Sequence, residues 1–158
     1  MKLGWLLLLF IALRVADANA EDTVALGRVI SHKYMDVELD CPKDYICMDV
    51  WYRWIISIDR TLSGPPVKGR VVAAHLQHTD LNKRFERSLR LFVLRPLSDP
   101  ARRDELKADY HLLEVSPENE MYCIQHDPST YGLAVENTYV RVQDDYKQYC
   151  FEIPTPEQ

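Results

Sequence analysis

The chain has 158 residues, a net charge of −5 at pH 7 and only five glycines. Its acidic balance argues against general nucleic-acid binding, because that binding depends on Lys and Arg neutralising phosphates. The few glycines leave little room for a phosphate-binding glycine loop, and no G-x-S-x-G motif marks a hydrolase serine. The composition therefore favours a binding protein over a nucleotide-dependent enzyme or a serine hydrolase.

The first twenty residues have the pattern of a secretory signal peptide. Lys2 precedes a run of almost wholly apolar residues, 3–13, and Ala18-Asn19-Ala20 supplies a cleavage site with small residues. The apolar run is too short to span a bilayer as a helix. We therefore expect residues 1–20 to be removed, and we expect a periplasmic or secreted protein.

The rest of the chain has the length of one domain. About 138 residues follow the expected cleavage site, which is enough to bury a useful hydrophobic core. We predict a single β-rich domain over residues 21–153 and a loose, proline-containing tail over residues 154–158. No second apolar run is long enough for a membrane helix, so we expect no membrane insertion after cleavage.

Four cysteines follow the expected cleavage site: Cys41, Cys47, Cys123 and Cys150. An even number of cysteines in an exported chain indicates two disulfides, and three pairings can be drawn. We favour Cys41–Cys47, which closes a short loop, and Cys123–Cys150, which lies within the acidic C-terminal part. The alternative is a zinc site with all four as ligands, which is weakened by the lack of a C-x-x-C pair.

Alternation of apolar and polar residues predicts strands along most of the chain. The longest feature is a central hairpin over residues 50–76, in which Tyr52, Trp54 and Ile56 share one face. Ser98-Asp99-Pro100 predicts a helix start, with a short helix over residues 102–107. The predicted strands cover residues 24–37 (with Gly27 as a bulge), 50–62, 70–76, 89–94, 110–115, 120–124, 137–142 and 149–153.

Short strands separated by regular turn signals predict a mainly β fold with one short helix. Our preferred architecture is a small OB-like Greek-key β-barrel stabilised by the disulfides. The segments Gly27-Arg28-Val29, 59–64 and 89–94 resemble exported OB-fold domains of the netrin-like type, which include the tissue inhibitors of metalloproteinases. The resemblance covers residues 23–97 and implies the fold only. Those inhibitors chelate the protease metal through an N-terminal Cys, whereas this chain is expected to begin Glu21-Asp22 after cleavage.

Two groups of residues are candidates for contacts with a partner. The candidate residues are Trp51, Arg53, Arg84, Phe85, Arg87 and Arg90. The first two lie on the face of the central hairpin opposite Trp54, and they are either exposed or covered by another part of the barrel. The other four form a basic cluster around an aromatic ring, which could bind an acidic partner or an anionic glycan. A solvated loop is the alternative for this cluster.

His75 and His78 are weak candidates for metal ligands. Two residues three apart point to opposite faces of a strand, so both could bind one metal only if the strand ends between them. No H-E-x-x-H motif is present. We therefore assign no metal site and no cofactor, and we name no catalytic residue.

Three functions remain open from the sequence. The first is a non-enzymatic exported protein that binds or inhibits another protein, as inhibitor and immunity proteins do. The second is a cell-wall or glycan-binding module in which Trp51 and the tyrosines stack on sugars. The third is a metal-dependent hydrolase using His75 and His78.

Overall fold

The computed structural model describes residues 21–39, 41, 43, 47–78, 88–116, 121–143 and 146–154. The predicted signal peptide lies outside these ranges, as does most of the predicted tail. The elements in chain order are β1 (Thr23–Tyr34), β2 (Val50–Ser63), β3 (Gly69–Gln77), β4 (Arg90–Pro96), α1 (Pro100–Leu106), β5 (Tyr110–Val115), β6 (Tyr122–Ile124), a 3-10 helix (Pro128–Tyr131), β7 (Glu136–Gln143) and β8 (Tyr146–Glu152).

The first five strands form a closed barrel in the order β1-β2-β3-β5-β4, in which β4 returns to β1. Neighbouring strands are antiparallel except β3 and β5, which run parallel. The long strand β1 pairs with β2 from Val24↔Ser63 to Tyr34↔Tyr52 and with β4 near its start. The predicted mainly β fold with a small barrel is thus confirmed, and the strand order is compatible with an OB-like fold.

Gly27 allows β1 to pass close to β2. The register of the two strands shifts between Leu26 and Gly27, as in a β-bulge. A Cβ atom at Gly27 would lie 2.4 Å from the carbonyl oxygen of Ser57, so this position excludes any side chain. The predicted bulge is confirmed, and its cause is the close approach of the two backbones.

The first five residues of β1 and of β4 are buried on both faces, which explains why these parts of the two strands are largely apolar. One set of alternating side chains fills the barrel, and it includes Ala25, Val29, Trp54, Ile56, Phe92 and Leu94. The other set points outward and packs against the C-terminal part of the chain, through Val24, Leu26, Leu91, Val93, Ile124, Leu133 and Phe151. The barrel therefore has one core inside and a second core between its outer wall and the C-terminal strands.

The C-terminal strands form a three-stranded sheet in the order β6-β8-β7. Cys123 and Cys150 are register partners in β6 and β8 and form a disulfide with a Cα–Cα distance of 4.1 Å. The second disulfide joins Cys41 and Cys47 across a Cα–Cα distance of 6.0 Å. Both predicted pairings are confirmed, and the alternative of a four-cysteine zinc site is excluded.

Helix α1 lies over the outer face of the central hairpin. The Asp99 side chain accepts a hydrogen bond from the Ala101 amide at 2.9 Å, and Pro100 occupies the first turn, as predicted. Leu106 is fully buried and packs with Trp51 and Ala74. Within the described ranges, no helix combines the length and the apolar character that crossing a membrane requires.

Candidate functional site

A large part of the exposed apolar surface lies on strands β7 and β8, which we call the C-terminal hairpin. Four large side chains of this hairpin are 47–70% exposed: Tyr139, Val140, Val142 and Tyr146. Strands usually bury their apolar side chains on at least one face. The number of exposed apolar residues on this pair of strands makes the C-terminal hairpin a candidate interaction surface.

The register explains how the C-terminal hairpin exposes both of its faces. Val140 pairs with Tyr149 and Val142 pairs with Lys147, so these four side chains share a face with Phe151. Phe151 is fully buried against the barrel, whereas Val142 is 70% exposed. The face that packs on the barrel at one end of the hairpin therefore continues past the barrel into solvent.

The outer edge of β7 is also available. β8 is the central strand of the sheet, and β7 pairs with β8 alone among the described strands. An edge strand presents backbone N–H and C=O groups to any strand that adds to it. Exposed apolar side chains thus occur on a strand whose outer edge pairs with no other described strand.

Trp51 is covered by helix α1 instead of being exposed. Its side chain is 7% exposed and packs with Ala74, Leu106 and Ala108. The Arg102 guanidinium carbon lies 5.0 Å from the centre of the indole ring. Trp51 is thus covered, but by helix α1 instead of the predicted other part of the barrel, and it cannot act as a sugar-stacking platform in this conformation.

Of the four arginines predicted as partner contacts, the two in the described ranges lie in different surroundings. Arg53 is half-buried on the outer face of β2, directly opposite Lys33 of β1. Arg90 is 1% exposed, and its Nη1 donates to the Ser116 carbonyl at 2.9 Å. The prediction that Arg90 belongs to an exposed basic cluster is therefore wrong, because β4 begins at this residue and carries it into the interior. Arg84, Phe85 and Arg87 lie outside the described residues.

The two candidate metal ligands do not share a site. His75 points into the barrel, where its Nδ1 lies 2.9 Å from the Leu112 carbonyl oxygen and its ring lies 5.3 Å from that of Trp54. Burial lowers the pKa of His75, an effect partly opposed by the contact with Leu112. His78 follows the end of β3, with its Nδ1 3.7 Å from a carboxylate oxygen of Asp49. In the part of the chain that the structure describes, no group of three His, Cys, Asp or Glu residues could hold a metal ion.

A buried carboxylate that the sequence analysis did not single out joins the barrel to the C-terminal sheet. Glu114 of β5 accepts hydrogen bonds from the Tyr131 hydroxyl at 2.7 Å and from the Gln125 amide at 2.5 Å, and its Oε1 lies 2.5 Å from Nδ1 of His126. Burial, together with the hydrogen bond to Glu114, raises the pKa of Tyr131. The local strand pattern does not indicate this role for Glu114, because the residues that contact its carboxylate lie later in the chain.

Comparison with protein-family models, with curated proteins and with solved structures found no match to this chain.

Proposed function

We propose that this chain is a non-enzymatic, exported protein of the inhibitor or immunity type, which binds another protein through its C-terminal hairpin. The observation that carries the proposal is the exposure of apolar side chains on both faces of this hairpin, whose strand β7 lies at the edge of the described sheet. The two disulfides indicate an oxidising compartment, which agrees with a periplasmic or secreted location.

The geometry of β7 suits a partner that adds a strand to the sheet. Backbone hydrogen bonds along the outer edge of β7 would supply affinity, and alternate side chains would supply specificity. Tyr139 and Tyr146 offer rigid contact area at a small cost in side-chain entropy, which is why tyrosine is frequent at the centres of interfaces. The partner is therefore expected to present an extended segment with apolar side chains.

The two other functions are less well supported. The glycan-binding alternative used Trp51 and the tyrosines as stacking platforms. Trp51 lies under helix α1, and the exposed Tyr139 and Tyr146 belong to the hairpin that we assign to the protein partner. The hydrolase alternative depended on a shared metal at His75 and His78, which lie in different surroundings. We therefore propose no cofactor and no catalytic residue.

The test is affinity capture with matched variants. The exported protein is immobilised and exposed to the envelope and secreted fractions of its source. The test variant is the double substitution Val140→Lys and Val142→Lys, and the control is Ile30→Lys, an exposed apolar residue in a β1 bulge. We expect one protein to be retained by the native chain and by the control, and the double variant to bind it at least about tenfold more weakly. Equal retention by all three proteins would exclude the hairpin as the contact.

A further inference from the structure

A second surface, distinct from the C-terminal hairpin, has the character of an anion site. A cleft of about 230 Å³ lies between the end of β1 and the end of helix α1, and we call it the helix cleft. Its charged lining comprises Lys33, Arg53, Lys107, Asp36 and Glu105. Three positive side chains thus meet in one concave region of an acidic protein.

Two of the positive side chains in the helix cleft lie where they repel each other. Lys33 and Arg53 are direct register partners on neighbouring strands, and like charges in such a position repel. Lys107 has a φ of 45°, in the left-handed region that favours glycine at the end of a helix. The positive charge of Lys107 suits the end of a helix, whereas the Lys33–Arg53 pairing is unfavourable within the fold, which points to a role for these two cations in binding.

The cations of the helix cleft also differ from most arginines around them. Elsewhere, Arg28 pairs with Asp59, Arg95 with Asp22 and Arg103 with Asp109, whereas the described residues offer Lys33, Arg53 and Lys107 no ion pair. Glu105 is already engaged by Arg102 at 2.5 Å. Asp36 is then the one carboxylate of the cleft lining without an ion pair in the described ranges, so the cleft keeps a positive excess.

We infer that the helix cleft binds a carboxylate of an acidic peptide segment. The planar Arg53 guanidinium can bind a carboxylate through two parallel hydrogen bonds, and the two lysines add charge without a fixed geometry. Met35 and Val37 form an apolar wall beside the cations, which suits a peptide that carries an apolar side chain next to its acid. A sulfated glycan would match the charge but would leave this apolar wall without a partner. The inference concerns a different surface from the hairpin and does not depend on it.

The test is a nitrogen-15 NMR titration of the disulfide-bonded protein with two short peptides. One is acetyl-Phe-Asp-Glu-amide, and the other is its neutral counterpart, acetyl-Phe-Asn-Gln-amide. We expect saturable shifts of the amides of Lys33, Arg53 and Lys107 with the acidic peptide, and binding about tenfold weaker or worse with the neutral one. Equal binding of both peptides, or no shifts at millimolar peptide, would overturn the inference.

Two variants and a matched control locate the site. Arg53→Gln and Lys33→Gln should each weaken binding of the acidic peptide about tenfold, whereas Arg70→Gln, an exposed cation on β3 outside the cleft, should not. Removing either cleft cation relieves the Lys33–Arg53 repulsion, so Tm should stay constant or rise, which separates lost binding from unfolding. Shifts of the cleft amides by a heparin oligosaccharide but not by the acidic peptide would also contradict the inference and would identify an anionic glycan instead.

Discussion

Tyr131 donates a hydrogen bond to Glu114 across an O···O distance of 2.7 Å, and this bond joins the C-terminal part of the chain to the barrel. Glu114 belongs to β5, whereas Tyr131 ends the 3-10 helix between β6 and β7. The Ser63 hydroxyl also donates to the Tyr131 carbonyl, so the same residue contacts the end of β2. Tyr131 thus connects the C-terminal part to two strands of the barrel.

Tyr131→Phe removes the hydroxyl that Glu114 accepts and leaves the ring in place. We expect the free energy of unfolding to fall by about 1–3 kcal/mol, because the substitution removes a donor from a buried carboxyl group. Urea unfolding measures the change. The control is Tyr139→Phe, whose ring is largely exposed and which should leave stability within about 0.5 kcal/mol of the native value. Equal effects of the two substitutions would show that the hydrogen bond adds no stability.

The protein should lose stability as the pH falls below about 6.5. Burial lowers the pKa of His75 and of His111 from the ordinary value of 6.5, and for His111 the positive charge of neighbouring side chains acts in the same direction. The unfolded chain then binds more protons than the folded chain below this pH, so stability is fully present above it and falls as the pH decreases. Urea unfolding between pH 7.5 and pH 5, a window of about 2.5 units, measures the slope.

His75→Gln should reduce this dependence on pH, because it removes one of the groups that must take up a proton. The matched control is His78→Gln, since the side chain of His78 is 51% exposed. Unchanged slopes in both variants would show that His75 does not contribute to the acid sensitivity.

The two disulfides should contribute unequally to stability. Cys123–Cys150 closes a segment with a sequence separation of 27, against 6 for Cys41–Cys47. The loop-entropy model gives about 3.5 kcal/mol for the longer loop and about 2 kcal/mol for the shorter one. Urea unfolding of the two double Cys→Ala variants compares these values. A larger loss for the Cys41–Cys47 pair would contradict the prediction.

Gly27→Ala should destabilise the barrel by about 1–3 kcal/mol, because the added Cβ would lie 2.4 Å from the Ser57 carbonyl oxygen. Gly69→Ala is the comparison. Gly69 has a φ of 75°, but no atom lies within 4 Å of the added Cβ, so the cost there is limited to backbone strain of about 1 kcal/mol. Thermal unfolding that ranks Gly69→Ala as the more harmful change would refute this account of the bulge.

The barrel could be predicted from the sequence because each of its strands has a face that must be buried. The alternation of Tyr52, Trp54 and Ile56 indicates a strand and its inner face directly, and the helix start at Asp99 depends on neighbouring residues alone. Alternation does not indicate what covers the outer face. The burial of Trp51 depends on a helix that begins 49 positions later in the chain, at Pro100.

The candidate site was predicted less well than the fold. Arg90 is charged, so its sequence context predicts an exposed side chain. Its guanidinium is instead buried and donates to the Ser116 carbonyl. Strand β7 was predicted as a strand, but the same apolar pattern would suit a strand packed on both sides. The exposure of Val142 depends on where the barrel ends beneath the hairpin, and a local pattern holds no information about that distance.

The position of β1 has a consequence for the rate of folding. This strand pairs with β2 and with β4, so that Val24 meets Ser63 on one side and Val93 on the other. Both neighbours are distant in sequence, and the parallel contact of β3 with β5 also requires a crossover through β4 and α1. Such a topology has a high contact order, because long loops must close before their contacts stabilise the chain. Refolding is therefore expected on the millisecond-to-second scale, with the closure of the barrel by β1 among the last steps.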